Sequence, residues 1–324
     1  MTGIRSNSKL RIVNSKSKVA VLAGGIGSER QISIASGRCV ADALEQAGFA
    51  VVTADVRPDN LDILGDAGID VFFPVLHGEF GEDGRLQRIL EAKSLLYTSS
   101  GSEASELAFD KMASKKLFDD VGVATPAAVE FVSGIDLPRL EDQLSDLAGK
   151  YVVKPVRQGS SVGVTIVSTP HEALRAAQET FGEFGNCMIE EFVPGREVTV
   201  GILCGRALPI IEIRTQSDFY DYDAKYVDDQ TEYLFDTITD PALAATISRA
   251  AIDCFDVLGC RHFARVDFVL GDDQIARVLE VNTIPGFTSH SLLPKAAAKA
   301  GLSMSDLCTR IVEAASSSLA GHKG

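Results

Sequence analysis

At 324 residues the chain exceeds the usual size of one domain, so two or three compact units around separate cores are expected. Hydrophobic residues make up 45% and charged ones 23%, as in an ordinary globular protein, and no apolar run of 18 residues offers a membrane span. With 45 acidic against 31 basic residues, net −14, most of the surface would repel nucleic acid and anionic lipid, which disfavours both as partners.

Residues 1–17 carry basic side chains and no acid, lack the apolar core of a secretory signal, and read as a flexible tail; SSSLAGHKG at the end reads the same way. From Lys18 the sequence has the plan strand, glycine loop (GGIGSER), helix, strand. A second strand over 69–76, a loop rich in glycine and acid (LHGEFGEDG) and a helix from about Arg85 repeat it, and parallel open sheets place ligands at such loops. Residues 18–105 thus form a first α/β unit. SEASELAFDKMASKKLFDDVG reads as one amphipathic helix with a capping-box-like start. ATPAAVEFV, YVVKPV and VGVTIV read as strands and HEALRAAQETF as a helix, giving a central unit over 106–189. A strand-rich unit over 190–324 follows, with a polar aromatic loop over 217–233, a helix over 240–258, and two alternating strands around GDDQ. Both boundaries are soft. The six cysteines form no C-x-x-C and no cluster with histidine, so reduced thiols in a cytoplasm fit best.

The hairpin carries the sharpest chemistry. Arg265 and Asp267 share one strand face, as do Glu280 and Asn282. If residues 270 and 275 close the turn, position 265 lies opposite 280, with 267 its diagonal neighbour. Two carboxylates and an amide oxygen suit Mg²⁺ rather than zinc; a solvent-facing hairpin with ordinary charges is the alternative. After Asn282, TIPGFTSHS leads into a helix whose first N–H groups would suit a carboxylate, or would be a plain N-cap. Lys111, on a predicted helix, and Lys154, ending a buried strand before QGSSVG, suggest a phosphate-handling surface, although Lys111 alone would pass for a solvated helix residue. A P-loop is excluded, because Lys154 precedes the glycines and a strand follows.

Taken in order, GGIGSERQISIASG, LHGEFGEDG, DKMASKKLF, VVKPVRQGSSVGV, EEFVPGREVTV, YDYDAKY, ARVDF and LEVNTIPGFTSHSLLPKAA resemble the D-alanine–D-alanine ligases of the ATP-grasp superfamily over about residues 18–312. The resemblance implies an α/β protein: an ATP-grasp fold in which a Rossmann-like N-terminal domain precedes two α+β subdomains enclosing ATP. It implies ATP phosphates at Lys111 and Lys154 under the glycine-serine lid, adenine beside Glu190, Phe192 and Val193, and ribose at Glu197. Asp267, Glu280 and Asn282 would bind two Mg²⁺, with Mn²⁺ as a substitute. Glu29 and His77 would hold the first D-alanine, and Ser291 and Leu292 the carboxylate of the second. Arg265 and the Gly286 backbone would polarise the acyl carbonyl, and Ser160 and Tyr226 would join Glu29 in a hydrogen-bonded triad. The same likeness implies a cytoplasmic homodimer that supplies D-alanyl-D-alanine for peptidoglycan.

Gly27 stands where a serine is more usual in the family, and LFDTITDPAL lacks an early Pro-Ala; neither departure touches a site residue. A D-alanine–D-lactate or D-alanine–D-serine ligase is the alternative, Tyr226 favouring D-alanine as acceptor. A catalytically inactive nucleotide-binding relative is less favoured because every ligand residue is present. A Rossmann dehydrogenase is excluded by the lack of G-x-G-x-x-G, Asp55 being better read as a strand-end residue.

Overall fold

The computed structural model describes residues 17–145, 147, 149–215 and 231–317. Strands β1 (Lys18–Gly24), β2 (Ala50–Val56) and β3 (Val71–Pro74) form a parallel sheet in the order β2-β1-β3. The central strand β1 is apolar from Val19 onward because both faces are covered. Val19, Val21 and Phe73 point toward α1 (Arg30–Gln46), while Ala20, Leu22 and Phe72 point toward α2 (Arg85–Ala92). Gly37 lets α1 lie close on β1, since a Cβ there would come 2.7 Å from that of Ala23.

The helix expected after residue 101 is two helices, α3 (Ser102–Phe109) and α4 (Lys111–Asp120). Its start is no capping box: Gly101 is the N-cap, and Ser102 binds Glu91 instead. The break falls at Asp110, whose extended backbone ends α3 and whose carboxylate accepts from the Ala113 N–H to cap α4.

Strands β4 (Ala128–Phe131), β5 (Tyr151–Pro155), β6 (Thr165–Val167) and β7 (Cys187–Glu191) form an antiparallel sheet in the order β4-β7-β5-β6. Tyr151, Val153 and Ile189 face α5 (Leu137–Ser145) and α6 (Pro170–Phe184), the latter started by a Thr169–Glu172 capping box. Period-2 alternation sends Val152, Lys154 and Glu190 to the opposite face. Position 190, expected as a boundary, falls inside β7.

The largest sheet holds β8 (Gly195–Leu203), β9 (Arg206–Ala207), β10 (Ile211–Arg214), β11 (Glu232–Phe235), β12 (Phe263–Gly271) and β13 (Ala276–Asn282), in the order β11-β10-β8-β12-β13 with β9 against β8. Val200, Val266, Phe268 and Val278 pack on α7 (Pro241–Val257) and on α4 through Phe118. Helices α8 (Leu292–Lys299) and α9 (Met304–Ser317) return to the first sheet, where α9 lies along α1. Phe73, Phe263 and Phe287, with ring centroids 5.4–6.2 Å apart, join the first and third units through one core.

Candidate active site

The outward faces of the second and third sheets enclose a cleft of about 1120 Å³, its open mouth included. Lys111 and Lys115 lie one turn apart on the buried face of α4. Lys111 Nζ donates to the Gln158 carbonyl at 2.6 Å and lies 3.2 Å from Glu280. On the neighbouring sheet Lys154 lies opposite Met188, so Glu190 is its diagonal neighbour on the same face. Glu190 is 2% exposed, with Lys115 2.6 Å from one carboxylate oxygen and Lys154 2.6 Å from the other. Burial alone would raise the Glu190 pKa, but the two ammonium groups overcome it and hold the group below the ordinary carboxylate value. Phe192, Val193 and Glu197 line the same cleft, Phe192 under the Lys150 ammonium.

The β12–β13 hairpin presents the acids in a register different from the expected one. The turn closes at Leu270 and Ala276, a pairing that would send Glu280 to the core face. A β-bulge at Leu279 reverses this: Phe268 still pairs Val278, but Asp267 then pairs Glu280 and Arg265 pairs Asn282. Position 265 therefore lies opposite 282, not 280. Asp267 takes both Arg265 donors at 2.8 Å, Asn282 Nδ2 at 3.0 Å and the Thr199 hydroxyl at 2.6 Å. Among the described residues no three His, Cys, Asp or Glu side chains gather as a metal site, so any cation here rests on two acids and an amide. Oxygen-only donors fit a hard divalent ion, and Arg265 and Lys111 are the cations now paired with the two acids.

A third loop covers the cleft. Ser160 and Ser161 both hold left-handed backbone, at φ 52° and 59°, which costs a non-glycine residue about 1 kcal/mol or more. The Ser160 hydroxyl donates to Glu29 at the start of α1, tying this turn to the first unit. Glu29 also lies against Gly78, where a Cβ would come 2.8 Å from its carboxylate. The adjacent His77 is buried, with Nδ1 donating to the Ile284 carbonyl at 2.9 Å and Nε2 3.3 Å from Ser36. Burial opposes its charge, yet Glu82, Glu29 and that carbonyl together raise its pKa above the ordinary value.

Beyond the hairpin Ser291 is the N-cap residue of α8, as the N-cap alternative has it, but its hydroxyl accepts from the Thr288 N–H at 3.0 Å instead of from the helix. Gly286 lies beside it, and a Cβ there would come 2.5 Å from Ser291 Oγ. Leu292 is buried in the first helix turn.

The structure thus gathers Lys111, Lys154, Glu190, Phe192, Val193, Glu197, Asp267 and Glu280 on one cleft, with Asn282 bonded to Asp267. Gly159 and Ser161 line it as well, and the Ser160–Glu29 bond ties their loop to the first unit. Tyr226 and most of the 217–233 loop lie outside the described residues. Three groups escaped the sequence reading. Lys115 was visible as the i+4 partner of Lys111. Glu82, accepting from the Gly78 N–H at 2.8 Å, was one acid among several in its loop. Thr199 reaches Asp267 only through the β8–β12 pairing.

A family model described as D-Ala D-Ala ligase C-terminus matches residues 118–313. A D-alanine–D-alanine ligase of Syntrophotalea carbinolica is 41% identical over 301 residues, spanning 92% of this chain and 96% of the relative. One of Citrifermentans bemidjiense is 42% identical, spanning 93% and 97%. The crystal structure of the Bacillus anthracis D-alanine–D-alanine ligase complexed with ATP superposes with a TM-score of 0.81 at 33% identity, covering 95% of this chain and 100% of that one. The VanG D-Ala:D-Ser ligase of Enterococcus faecalis superposes at 0.80 and 27% identity, covering 93% and 99%.

Proposed function

The chain belongs to the D-alanine–D-alanine ligase family, and from that premise we propose that it joins two D-alanines into D-alanyl-D-alanine, converting ATP to ADP and phosphate, for peptidoglycan precursors. The observation that carries the reading is the meeting of Lys111 with Glu280, which brings the cationic helix and the acidic hairpin onto one cleft.

Condensing a carboxylate with an amine is uphill in neutral water, so the carboxylate must be activated. A carboxylate oxygen of the first D-alanine attacks the γ-phosphorus, the bond to the ADP oxygen breaks, and D-alanyl phosphate forms. Lys111 and Lys154 offset the charge on the phosphates, a matter of positioning rather than of covalent catalysis. Two Mg²⁺, or Mn²⁺ in their place, would be held by Asp267, Glu280 and Asn282 and would supply positive charge to offset that of the phosphates. Glu29 and His77 orient the first D-alanine. Ser291 and the Leu292 N–H receive the carboxylate of the second, whose amine attacks the acyl carbon while Arg265 and the Gly286 backbone stabilise the oxyanion. Phosphate then leaves. Glu190, Phe192 and Val193 border the adenine, and Glu197 takes the ribose. The Ser160 turn, with Tyr226, keeps water from the acyl phosphate. The three units, divided near 105 and 190, a homodimer and a cytoplasmic location complete this reading; sedimentation tests the dimer, and no described helix is long and apolar enough to cross a membrane.

The likeness to a D-Ala:D-Ser ligase favours D-serine as the second reading for the acceptor. ADP release measured with D-alanine, D-serine and D-lactate as acceptor decides it. Preference for D-alanine supports the proposal, and preference for either rival replaces it. No ADP release with saturating D-alanine, ATP and Mg²⁺ would overturn ligase activity.

A further inference from the structure

We propose that Lys115 is a positioning residue for nucleotide binding, holding Glu190 from outside the cleft so that Lys154 keeps N–H donors free for the bound phosphates. This deepens the ligase reading and rests on it.

Lys115 and Lys154 grip opposite oxygens of the same buried carboxylate, each at 2.6 Å, but they stand in different places. Lys154 and Glu190 line the cleft; Lys115 does not, and donates also to the Pro126 carbonyl at 2.7 Å. It comes to Glu190 from α4, whereas Lys154 comes from the adjoining strand β5. The two lysines against one carboxylate leave one positive charge at the cleft wall. Without Lys115 the pair that remains is neutral, and the carboxylate, with one oxygen unanswered in a low-dielectric site, draws Lys154 onto itself. The phosphates then compete with Glu190 for the Lys154 ammonium group. Burial depresses the Lys115 pKa, Glu190 raises it and the Lys154 charge depresses it further, so the two lysines repel each other across the acid they share.

The role makes Lys115 and Glu190 interdependent, which a double-mutant cycle reads directly. ATP dissociation constants are measured by titration calorimetry on the full chain with Mg²⁺, each variant first checked by thermal melting. Lys115→Met is expected to weaken ATP at least tenfold and to raise the KM for ATP while leaving that for D-alanine within threefold. Lys115→Arg, which keeps the charge, should bind within threefold of the parent. In a Glu190→Gln background, where there is no charge to answer, Lys115→Met should change ATP affinity less than threefold. If Lys115→Met does not fold, Lys115→Gln is put through the same cycle, its amide replacing the hydrogen bond without the charge. An unaltered ATP affinity in the single variant, or an equal loss in both backgrounds, overturns the role of Lys115 alone. A parent chain that does not bind ATP overturns both this role and the ligase reading.

Discussion

Lys111 on α4 and Glu280 on β13 meet at 3.2 Å, across the seam between the helix and the hairpin. The contact holds the proposed phosphate-binding cation against the proposed metal-binding acid on one cleft before either ligand arrives. Glu280→Ala removes one of two carboxylates from the proposed donor set and takes the acidic partner from Lys111, which keeps the Gln158 carbonyl. We expect ADP release to fall at least about a hundredfold, more than an outer partner of a metal ligand is worth. Near-normal turnover in the variant would show that the cation lies elsewhere.

Thr199→Val deletes a hydroxyl that donates to Asp267 at 2.6 Å and keeps the volume of a buried side chain. The carboxylate then loses one of the groups that orient it. The Mg²⁺ concentration giving half-maximal rate should rise about 10-fold or more, while turnover at saturating Mg²⁺ changes less. A magnesium titration at fixed ATP separates the two.

Ser160→Ala breaks the bond that ties the covering turn to Glu29. A hydrogen bond to a charged group contributes about 1.5–3 kcal/mol, and the left-handed backbone no longer has that bond to hold it. Turnover with D-alanine should fall about tenfold, and ADP release without D-alanine should rise relative to it as water enters. Unchanged coupling of ADP to dipeptide would sink the lid role.

His262 is buried, and burial first, the Arg261 charge second, lower its pKa to about 3 against an opposing Ser99 contact. The unfolded chain takes up a proton between pH 6.5 and about 3 that the folded chain does not, so stability falls as the pH drops through that window. His262→Asn removes this titration and tolerates the left-handed backbone at φ 65°. Urea melts at pH 7 and pH 5 should show an acid loss smaller by about 2 kcal/mol in the variant. An equal loss would mean that other groups set the acid limit.

Phe287→Ala empties the centre of the Phe73–Phe263–Phe287 cluster. The cost expected is about 3–5 kcal/mol of unfolding free energy. Its loop also carries the Phe287 N–H that donates to Ser36 at 3.2 Å, so His77 loosens with it. Denaturant melts and the KM for D-alanine, measured together, test both consequences.

The chemistry of this site was legible in the sequence because it depends on residue type and short spacing. Lys154 after a strand, the Asp267–Glu280 hairpin and the Gly-Ser turn are each local, and their order along the chain placed the family. Helix starts such as Thr169 and Asp240, and the alternation that puts Val153 in the core and Lys154 in the cleft, are local too. What the sequence could not settle are relationships between distant segments. The bulge at Leu279, which turns Glu280 to the face of Asp267, depends on how the whole hairpin packs against α7. The second lysine on Glu190 comes from a helix 75 residues away, and the seat of α9 on α1 joins the two ends of the chain. Such contacts have no fixed spacing: they form because burying a charge demands a partner and burying an apolar face demands a cover, and only the folded chain determines which segments supply them.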